Sequence, residues 1–297
     1  MGYLHIENLY KNQEILMFKE CYAMEKIHGT SAHITFKTNP SNINQWQVTF
    51  FSGGESYDKF VSLFDKDVLL AKFIENGFPV DKEVTIYGEA YGGKQQGMSD
   101  TYGKTLKFIA FDVQIGDCWL DVPKADNICQ HLGIEFVYYV KVSTDLKELD
   151  AQRDADSVQA IRNGITDKKI REGIVLRPLI ELTKNNGSRI ICKHKRDEFR
   201  ETKSPRPVDD PAKLKVLDDA NKIADEYVTV MRLEHVLQKI PGHSIEQMSN
   251  IIKAMVEDVT REGQGEIVDN DATRKAVGRK TALMYKDYIK NKLYEKV

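Results

Sequence analysis

The chain has 297 residues, of which 41% are hydrophobic and 30% are charged, with a formal net charge of −2 and a pI near 6.4. Since a domain commonly holds roughly 100 to 200 residues, this length predicts two domains, and the charge excludes a uniformly basic nucleic-acid-binding protein. The sequence has no apolar run near the roughly 18 residues that a membrane-spanning helix needs, and its first residues lack the features of a signal peptide. We therefore expect a cytoplasmic protein that makes no contact with a membrane.

The cysteines are predicted to be free thiols. No pair has the short spacing that zinc sites use, and a cytoplasmic chain of this length needs no disulfide bonds. The four residues are Cys21, Cys118, Cys129 and Cys192.

The first motif with a chemical signature is Glu25-Lys26-Ile27-His28-Gly29. A lysine followed at the third position by a glycine, directly after a glutamate, is the way in which a nucleotidyltransferase presents its nucleophile. Lys26 is therefore the candidate for attack on a phosphate. The spacing alone is weak evidence, because Lys-x-x-Gly also begins at Lys94, Lys184, Lys239 and Lys275.

Residues 88–94 nearly form a phosphate-binding P-loop. The stretch contains Gly88, Gly93 and Lys94, but Gln95 occupies the position at which a P-loop needs the Ser or Thr that binds Mg²⁺. Residues 95–99 (Gln-Gln-Gly-Met-Ser), which follow, are also unfavourable for the start of the helix that a P-loop needs. We therefore reject the P-loop interpretation.

Apolar and β-branched runs predict strands in the first two thirds of the chain. Residues 47–51 and 84–86 are two such runs, and Glu89 follows the second. Residues 108–113 contain Phe111 and are typical of a buried strand, and a further strand is expected to open at Glu172. In the last run, 190–195, side chains alternate between faces, so Lys193 and Lys195 point the same way. Two lysines on one face suit the binding of a phosphate better than the building of a core.

The predicted helices divide the chain into two parts. Helices are expected at about 56–76, 123–132 and 153–164, and residues 204–207 (Ser-Pro-Arg-Pro) then interrupt regular structure. Beyond them, apolar residues at spacings of three and four predict helices at 223–237 and 245–256, and a helix with basic outer faces at about 273–294. The sequence therefore predicts an α+β domain of antiparallel sheets and helices at 1–204 and an all-helical domain at 205–297.

Taken in this order, the motifs from Lys26 to Lys195 resemble those of the covalent nucleotidyltransferase superfamily of polynucleotide ligases and RNA capping enzymes. The sequence is most similar to the nick-joining RNA ligases of the RNA ligase 2 type, for which the wording Glu-Lys-Ile-His-Gly-Thr is typical. The similarity continues to Tyr227, Arg232 and Arg261 in the C-terminal part, so it covers roughly the whole chain.

The resemblance implies roles for particular residues. Lys26 is the nucleophile and Phe111 stacks on the adenine, while Glu172 holds a metal ion and Glu89 binds the ribose or the metal's waters. The implied catalytic residues are Lys26, Glu89, Glu172, Lys193 and Lys195. The implied nucleotide-binding residues are these five together with Glu25, Ile27, His28, Gly29 and Phe111.

The implied cofactors are ATP and Mg²⁺, which Mn²⁺ can replace. Lysine attacks only as the free amine, and an ordinary pKa of about 10.4 keeps it protonated at neutral pH, so Lys193, Lys195 and Mg²⁺ are expected to favour the free amine of Lys26. Attack on ATP then gives lysyl-AMP, AMP passes to the 5′-phosphate of an RNA, and a 3′-hydroxyl displaces it. The expected partner is RNA with these ends, in a nicked or bridged duplex, bound by a monomer without an obligate protein partner.

Two positions depart from the family pattern. Ser52 and Gly53 stand where the family usually has an arginine, so either Lys37 or Lys59 supplies the cation or the enzyme handles the 5′-phosphate differently. Ser31 stands where the family has an asparagine. Between residues 189 and 206, seven basic residues against three acidic ones give a net charge of +4, which predicts a patch for a polyanion, with a merely solvated face as the alternative.

Three other functions are considered. A DNA ligase or an RNA capping guanylyltransferase of the same superfamily would place a β-barrel after the last lysine motif, whereas this sequence predicts helices there. A non-catalytic RNA-binding relative would have lost Lys26 or the carboxylates, and all of them are present.

Overall fold

The computed structural model describes residues 2–39, 41–78, 81–184, 187–199, 211–240 and 244–294. The chain divides into two units, Met1–Arg206 and Pro207–Val297. The interruption predicted at 204–207 lies outside the described residues, as do Arg200, Lys203 and Arg206 of the predicted basic patch.

The first unit contains two antiparallel sheets. Its strands, in the described part of the chain, are β1 (Glu20–Glu25), β2 (Thr30–Asn39), β3 (Asn42–Ser52), β4 (Val84–Tyr91), β5 (Lys107–Ile115), β6 (Cys118–Trp119), β7 (Tyr139–Ser143), β8 (Gly173–Pro178) and β9 (Cys192–Lys195). The four-stranded sheet has the order β7-β1-β8-β9, and the five-stranded sheet has the order β3-β2-β4-β5-β6. Neighbouring strands pair in antiparallel fashion in both, which confirms the predicted fold class.

Of the three helices predicted in the first unit, the one at 123–132 is confirmed by α4, and the other two are divided. They are α1 (Tyr57–Val61), α2 (Lys66–Glu75), α3 (Ser99–Tyr102), α4 (Val122–Leu132), α5 (Leu146–Asp154) and α6 (Val158–Arg162). A single helix at 56–76 is wrong, because Asp65 starts a new helix by accepting hydrogen bonds from the N–H groups of Asp67 and Val68, both at 3.1 Å. A single helix at 153–164 is also wrong, since Ser157 caps α6 through the N–H of Ala160 at 3.0 Å.

Alternation along β2 separates a core face from an open face. Ala32, Ile34 and Phe36 are fully buried, and the Phe36 ring stacks on Phe73 of α2 with the centroids 4.0 Å apart. The opposite face of β2 begins at Ser31, which pairs with Glu89 of β4. The helix therefore packs on one face of the five-stranded sheet, and the other face carries the candidate site.

The cysteines form no disulfide bonds among the described residues. All four are free thiols, as predicted. Three of them are buried, and Cys118 is exposed.

All regular elements among the described residues of the second unit are helical. They are α7 (Pro211–Tyr227), α8 (Val230–Lys239), α9 (Met248–Glu262) and α10 (Asp271–Tyr294), with a 3₁₀ turn at Ile245–Gln247. The apolar row at 223–237 spans two helices, because Thr229 leaves helical geometry and accepts a hydrogen bond from the N–H of Arg232 at 3.2 Å. Leu233, Met255 and Val277 belong to the core of this unit. Across the described residues, no helix combines the length and the apolar character needed to cross a membrane.

Candidate active site

Lys26 lies directly after β1, at the end of the strand that sits between β7 and β8. Its backbone N–H donates to the carbonyl of Gly173 at 3.0 Å, so the start of β8 lies beside it. Gly173 has a φ of +151°, and a Cβ there would lie 2.2 Å from the carbonyl oxygen of His194 in β9. Only glycine permits this close approach, which holds Glu172 next to the end of β9.

Glu172 is the centre of the site. One carboxylate oxygen, Oε2, accepts from Lys26 Nζ at 2.9 Å and contacts Nδ1 of His28 at 3.0 Å, and Oε1 lies 2.9 Å from Lys195 Nζ. The Glu172 side chain is only 1% exposed. Burial by itself would raise the pKa of Glu172, but His28, Lys26 and Lys195 outweigh it and lower the pKa to about 2. The carboxylate is therefore ionised at neutral pH and gathers the groups around it.

Glu89 approaches the same place from the five-stranded sheet. Its Oε1 accepts a hydrogen bond from the backbone N–H of Gly29 at 3.2 Å. A Cβ at position 29 would lie 2.4 Å from the carbonyl oxygen of Ala90, so a glycine is needed for the chain after Lys26 to pass this close to β4. Burial raises the pKa of Glu89 to about 7, an effect that Lys26 opposes and Glu172 reinforces. Glu89 is thus partly protonated at neutral pH, whereas Glu172 is ionised.

A cavity of about 390 Å³ opens beside these groups. Its lining includes Glu25, Lys26, Ile27, Glu89, Phe111 and Lys193. This volume falls within the range of roughly 300 to 1,000 Å³ that small-molecule sites occupy. The structure therefore brings six of the ten predicted site residues to one cavity, and Glu172, His28, Gly29 and Lys195 join them through the contacts given above.

The two lysines of β9 face the site as the alternation predicts. Cys192 and His194 are buried, at 1% and 8% exposed, and Nε2 of His194 lies 2.7 Å from Asp150 of α5. Lys193 lines the cavity and Lys195 pairs with Glu172. The strand is shorter than the predicted run, because regular pairing begins only at Cys192. Lys193 thus brings positive charge to the cavity, and Lys195 brings it to the Glu172 carboxylate beside the cavity.

The carboxylate of Glu25 is occupied by helix α6. It accepts hydrogen bonds from the Ser157 hydroxyl at 2.6 Å and from the N–H groups of Val158 and Gln159 at 3.0 and 3.2 Å. Burial raises the pKa of Glu25, although these hydrogen bonds oppose the rise. Glu25 therefore caps a helix beside the nucleophile, and its predicted contact with the nucleotide stays a prediction.

Sequence reasoning missed a buried ionic cluster behind the cavity. Asp112 accepts from Arg177 Nη1 at 3.0 Å through Oδ1 and from Arg189 Nη1 at 2.5 Å through Oδ2. Glu181 accepts from Arg177 Nε at 2.6 Å and from Arg189 Nε at 3.1 Å. Two guanidinium groups and two carboxylates thus balance in charge, which is a requirement for burying them.

The same cluster corrects the predicted basic patch. Arg189 is 5% exposed and paired with acidic residues, so it contributes no charge to a surface. Arg196 is also paired, with Glu198 at 3.3 Å. The residues proposed to replace the family's arginine, Lys37 and Lys59, do not line the cavity in the described part of the chain, and Lys59 lies 3.7 Å from Glu55.

Ser31, where the family has an asparagine, does line the cavity. Its hydroxyl oxygen is buried and has no hydrogen-bond partner among the described residues. A buried hydroxyl without a partner is costly, so this atom is available to a bound ligand.

The acidic residues fit a hard divalent cation. Mg²⁺ commonly binds one or two carboxylates and takes its other ligands from waters and substrate phosphates. Glu89 lines the cavity, and Glu172 lies beside it in contact with Lys26. In the described ranges, no group of three or more Asp, Glu, His or Cys residues is arranged so that it could hold a metal ion by itself. The donor set thus fits Mg²⁺ held together with a phosphate-bearing ligand.

The sequence matches the model of one known protein family. A family model described as RNA ligase matches residues 19–195, which is more than half of the chain. The chain belongs to the RNA ligase family. The matched range contains all ten predicted site residues and ends at Lys195.

Solved structures show a more distant likeness. A Naegleria gruberi RNA ligase variant solved with AMP and manganese is 14% identical with a TM-score of 0.48, and the match covers 67% of this chain and 57% of that one. The same ligase solved with pyrophosphate is 16% identical with a TM-score of 0.47, at the same coverage. The chain thus spans little more than half the length of these ligases. A search of curated proteins gave no match.

Proposed function

We propose that this protein is an ATP-dependent RNA ligase that joins a 3′-hydroxyl and a 5′-phosphate through a lysyl-AMP intermediate. The observation that carries the proposal is the convergence of Lys26 and Lys195 on the buried carboxylate of Glu172, each at 2.9 Å, at the edge of the cavity. A lysine nucleophile, a second cation and an anionic metal ligand are the groups that nucleotidyl transfer to an amine requires.

In the first step, the Lys26 amine attacks the α-phosphorus of ATP. An N–P bond forms, the bond from the α-phosphorus to the bridging oxygen breaks, and pyrophosphate leaves with that oxygen. The ammonium group must lose a proton and leave its contact with Glu172 before it can attack. Glu172 and Glu89 would hold Mg²⁺, which would supply positive charge to the phosphate oxygens.

The remaining groups position the nucleotide. Lys193 and Lys195 offer positive charge to phosphate oxygens, on which negative charge builds as the bond to pyrophosphate breaks. Phe111 lies in the cavity wall and offers a ring on which the adenine can stack. The Ser31 hydroxyl can donate to the ribose or to the α-phosphate.

In the later steps, the AMP passes to the 5′-phosphate of an RNA and forms a pyrophosphate bridge, while the Lys26 N–P bond breaks. The 3′-hydroxyl oxygen then attacks that 5′-phosphorus, and AMP leaves. We propose that the RNA is held as a nicked or bridged duplex and that the helical unit contributes to this binding. The helices of the second unit argue against a DNA ligase or a capping enzyme, which carry a β-barrel after the catalytic domain.

A nucleotide and substrate panel tests the proposal. The protein is incubated with Mg²⁺ and each labelled nucleoside triphosphate, and acid-labile covalent label is measured. We expect labelling by ATP and not by GTP. The labelled protein is then given nicked duplexes of RNA or DNA, and sealing of the RNA is expected. Labelling by GTP, or sealing of DNA alone, would select one of the other functions.

A further inference from the structure

The residues before β1 contain a segment that the family match does not reach. Tyr3, Leu4, His5 and Ile6, which we call the strap, precede the matched range of 19–195 and belong to neither a helix nor a strand. All four line the cavity that contains Lys26, Phe111 and Lys193. The strap is therefore part of the wall of the candidate nucleotide site.

The strap is held in place at both of its ends. After it, the N–H of Leu9 donates to the carbonyl of Lys193 at 2.8 Å, and the N–H of Lys193 donates to the carbonyl of Glu7 at 2.9 Å. At its first residue, the Tyr3 hydroxyl donates to Asp112 Oδ2 at 2.6 Å and accepts from Arg189 Nη1 at 2.9 Å. The segment thus joins the strand of the phosphate-facing lysines to the ionic cluster behind the cavity.

Tyr3 is well suited to be a permanent anchor. Burial, followed by the Asp112 carboxylate, holds the pKa of Tyr3 well above its usual range, so the hydroxyl keeps its proton and remains a donor. Asp112 and Arg189 are 0% and 5% exposed, so water does not compete for these hydrogen bonds. A neutral phenol can enter this charge-balanced cluster without adding a net charge.

The ring of Tyr3 supports Phe111. The edge of one ring meets the face of the other, with centroids 4.8 Å apart and planes at 75°. Tyr87 and Trp119 pack on Tyr3 at 5.1 and 5.8 Å, so its ring is fixed from several sides. Phe111 and Asp112 are consecutive in β5, where the pairing with β4 shifts its register and leaves Phe111 without an opposite residue. One tyrosine contacts the ring of the first and the carboxylate of the second.

We propose that Tyr3 is a positioning residue for nucleotide binding. It fixes the strap as the base-side wall of the cavity and holds Phe111 in the orientation in which a purine ring can stack on it. Tyr3 therefore sets the affinity for the base of the nucleotide and leaves the binding of the phosphates to Lys193 and Lys195. This inference rests on the proposed function, because it takes the cavity to be the ATP site.

Two ligands, one with a base and one without, distinguish an effect of Tyr3 on base binding from an effect on the folding of the whole site. The first is α,β-methylene-ATP, which cannot transfer its nucleotide, and the second is inorganic tripolyphosphate, which lacks base and ribose. For Tyr3→Ala we expect about tenfold weaker binding of α,β-methylene-ATP, which is about 1.4 kcal/mol and lies near the upper end of what an aromatic pair contributes beyond its buried area. Binding of tripolyphosphate should stay within about twofold of wild type. Tyr3→Phe keeps the ring, so its affinity for α,β-methylene-ATP should fall only about threefold.

The control is Tyr57→Ala, because Tyr57 is 55% exposed and does not line the cavity. It should bind both ligands as the wild type does, with calorimetry and circular dichroism run on every variant. An equal loss of both ligands in Tyr3→Ala would overturn the proposal, and so would unchanged binding of both. If Tyr3→Ala does not fold, the Tyr3→Phe comparison decides in the same way. Failure of the wild type to bind α,β-methylene-ATP would instead overturn the proposed function.

Discussion

Replacing Glu172 with glutamine tests the electrostatic design of the site. The change keeps the size of the side chain and removes the charge that Lys26, His28 and Lys195 share. Lys195 is 9% exposed, so it cannot regain full hydration when its partner is lost. We therefore expect Glu172→Gln to destabilise the first unit as well as to impair catalysis.

The magnitude follows from the pKa of Glu172. Folding lowers this pKa from an ordinary 4.5 to about 2, which corresponds to about 3 kcal/mol at about 1.4 kcal/mol per tenfold change. The value agrees with the roughly 3 to 5 kcal/mol that loss of one partner of a buried ion pair costs. Since the folded-state pKa is lowered, the stabilisation is complete above about pH 4.5 and disappears as the pH falls towards about 2. At pH 3, about half of it should remain.

Urea unfolding measured by tryptophan fluorescence is the suitable assay. The chain has two tryptophans, Trp46 and Trp119, and both lie in the first unit, so the signal reports that unit alone. The control is Glu20→Gln, because Glu20 is 47% exposed and pairs with Lys141 at the surface, where such a pair contributes about 0 to 1 kcal/mol. If Glu172→Gln and Glu20→Gln cost the same free energy of unfolding, or if the cost of Glu172→Gln does not shrink between pH 7 and pH 3, the reasoning is refuted.

Three further changes follow from the same structure. Gly173→Ala should destabilise the first unit by about 2 kcal/mol or more, because its Cβ would meet the carbonyl of His194 in a backbone region that alanine avoids; unchanged urea unfolding would contradict this. In the wild type, the raised pKa of Glu89 favours the protonated native state, so stability should fall as the pH rises from about 4.5 to 7. Glu89→Gln should remove this fall, and a pH profile parallel to that of the wild type would argue against it. A protein of residues 1–207 should keep covalent adenylylation and lose most of its sealing of nicked RNA, and full sealing by it would show that the helical unit has another role.

The local pattern of the site was predictable from the sequence. The alternation of Lys193 and Lys195 against Cys192 and His194 follows from the period of a strand, and the structure has it. The breaks between helices were also readable in principle. Asp65 and Ser157 are residues that commonly cap helices, and each begins a new one.

The ionic cluster was not predictable in the same way. Asp112 meets Arg177 and Arg189, which are 65 and 77 residues away in sequence, and no local period connects them. Arg189 therefore looks like part of a basic surface in the sequence, although it is buried. Tyr3 lies farther still, 109 residues from Asp112, and nothing in its neighbours indicates that its hydroxyl reaches a carboxylate.

The most direct test of the central claim is to locate the covalent nucleotide. The protein is incubated with Mg²⁺ and ATP labelled on its α-phosphate, and the modified peptide is identified by mass spectrometry under conditions that preserve a phosphoramidate. We predict AMP on Lys26 in the wild type and no adduct in Lys26→Arg, because a permanently charged guanidinium is not a nucleophile. Lys184→Ala, which changes a lysine with the same Lys-x-x-Gly spacing that pairs with Glu14, should be labelled normally. AMP on another lysine, or undiminished labelling of Lys26→Arg, would contradict the account.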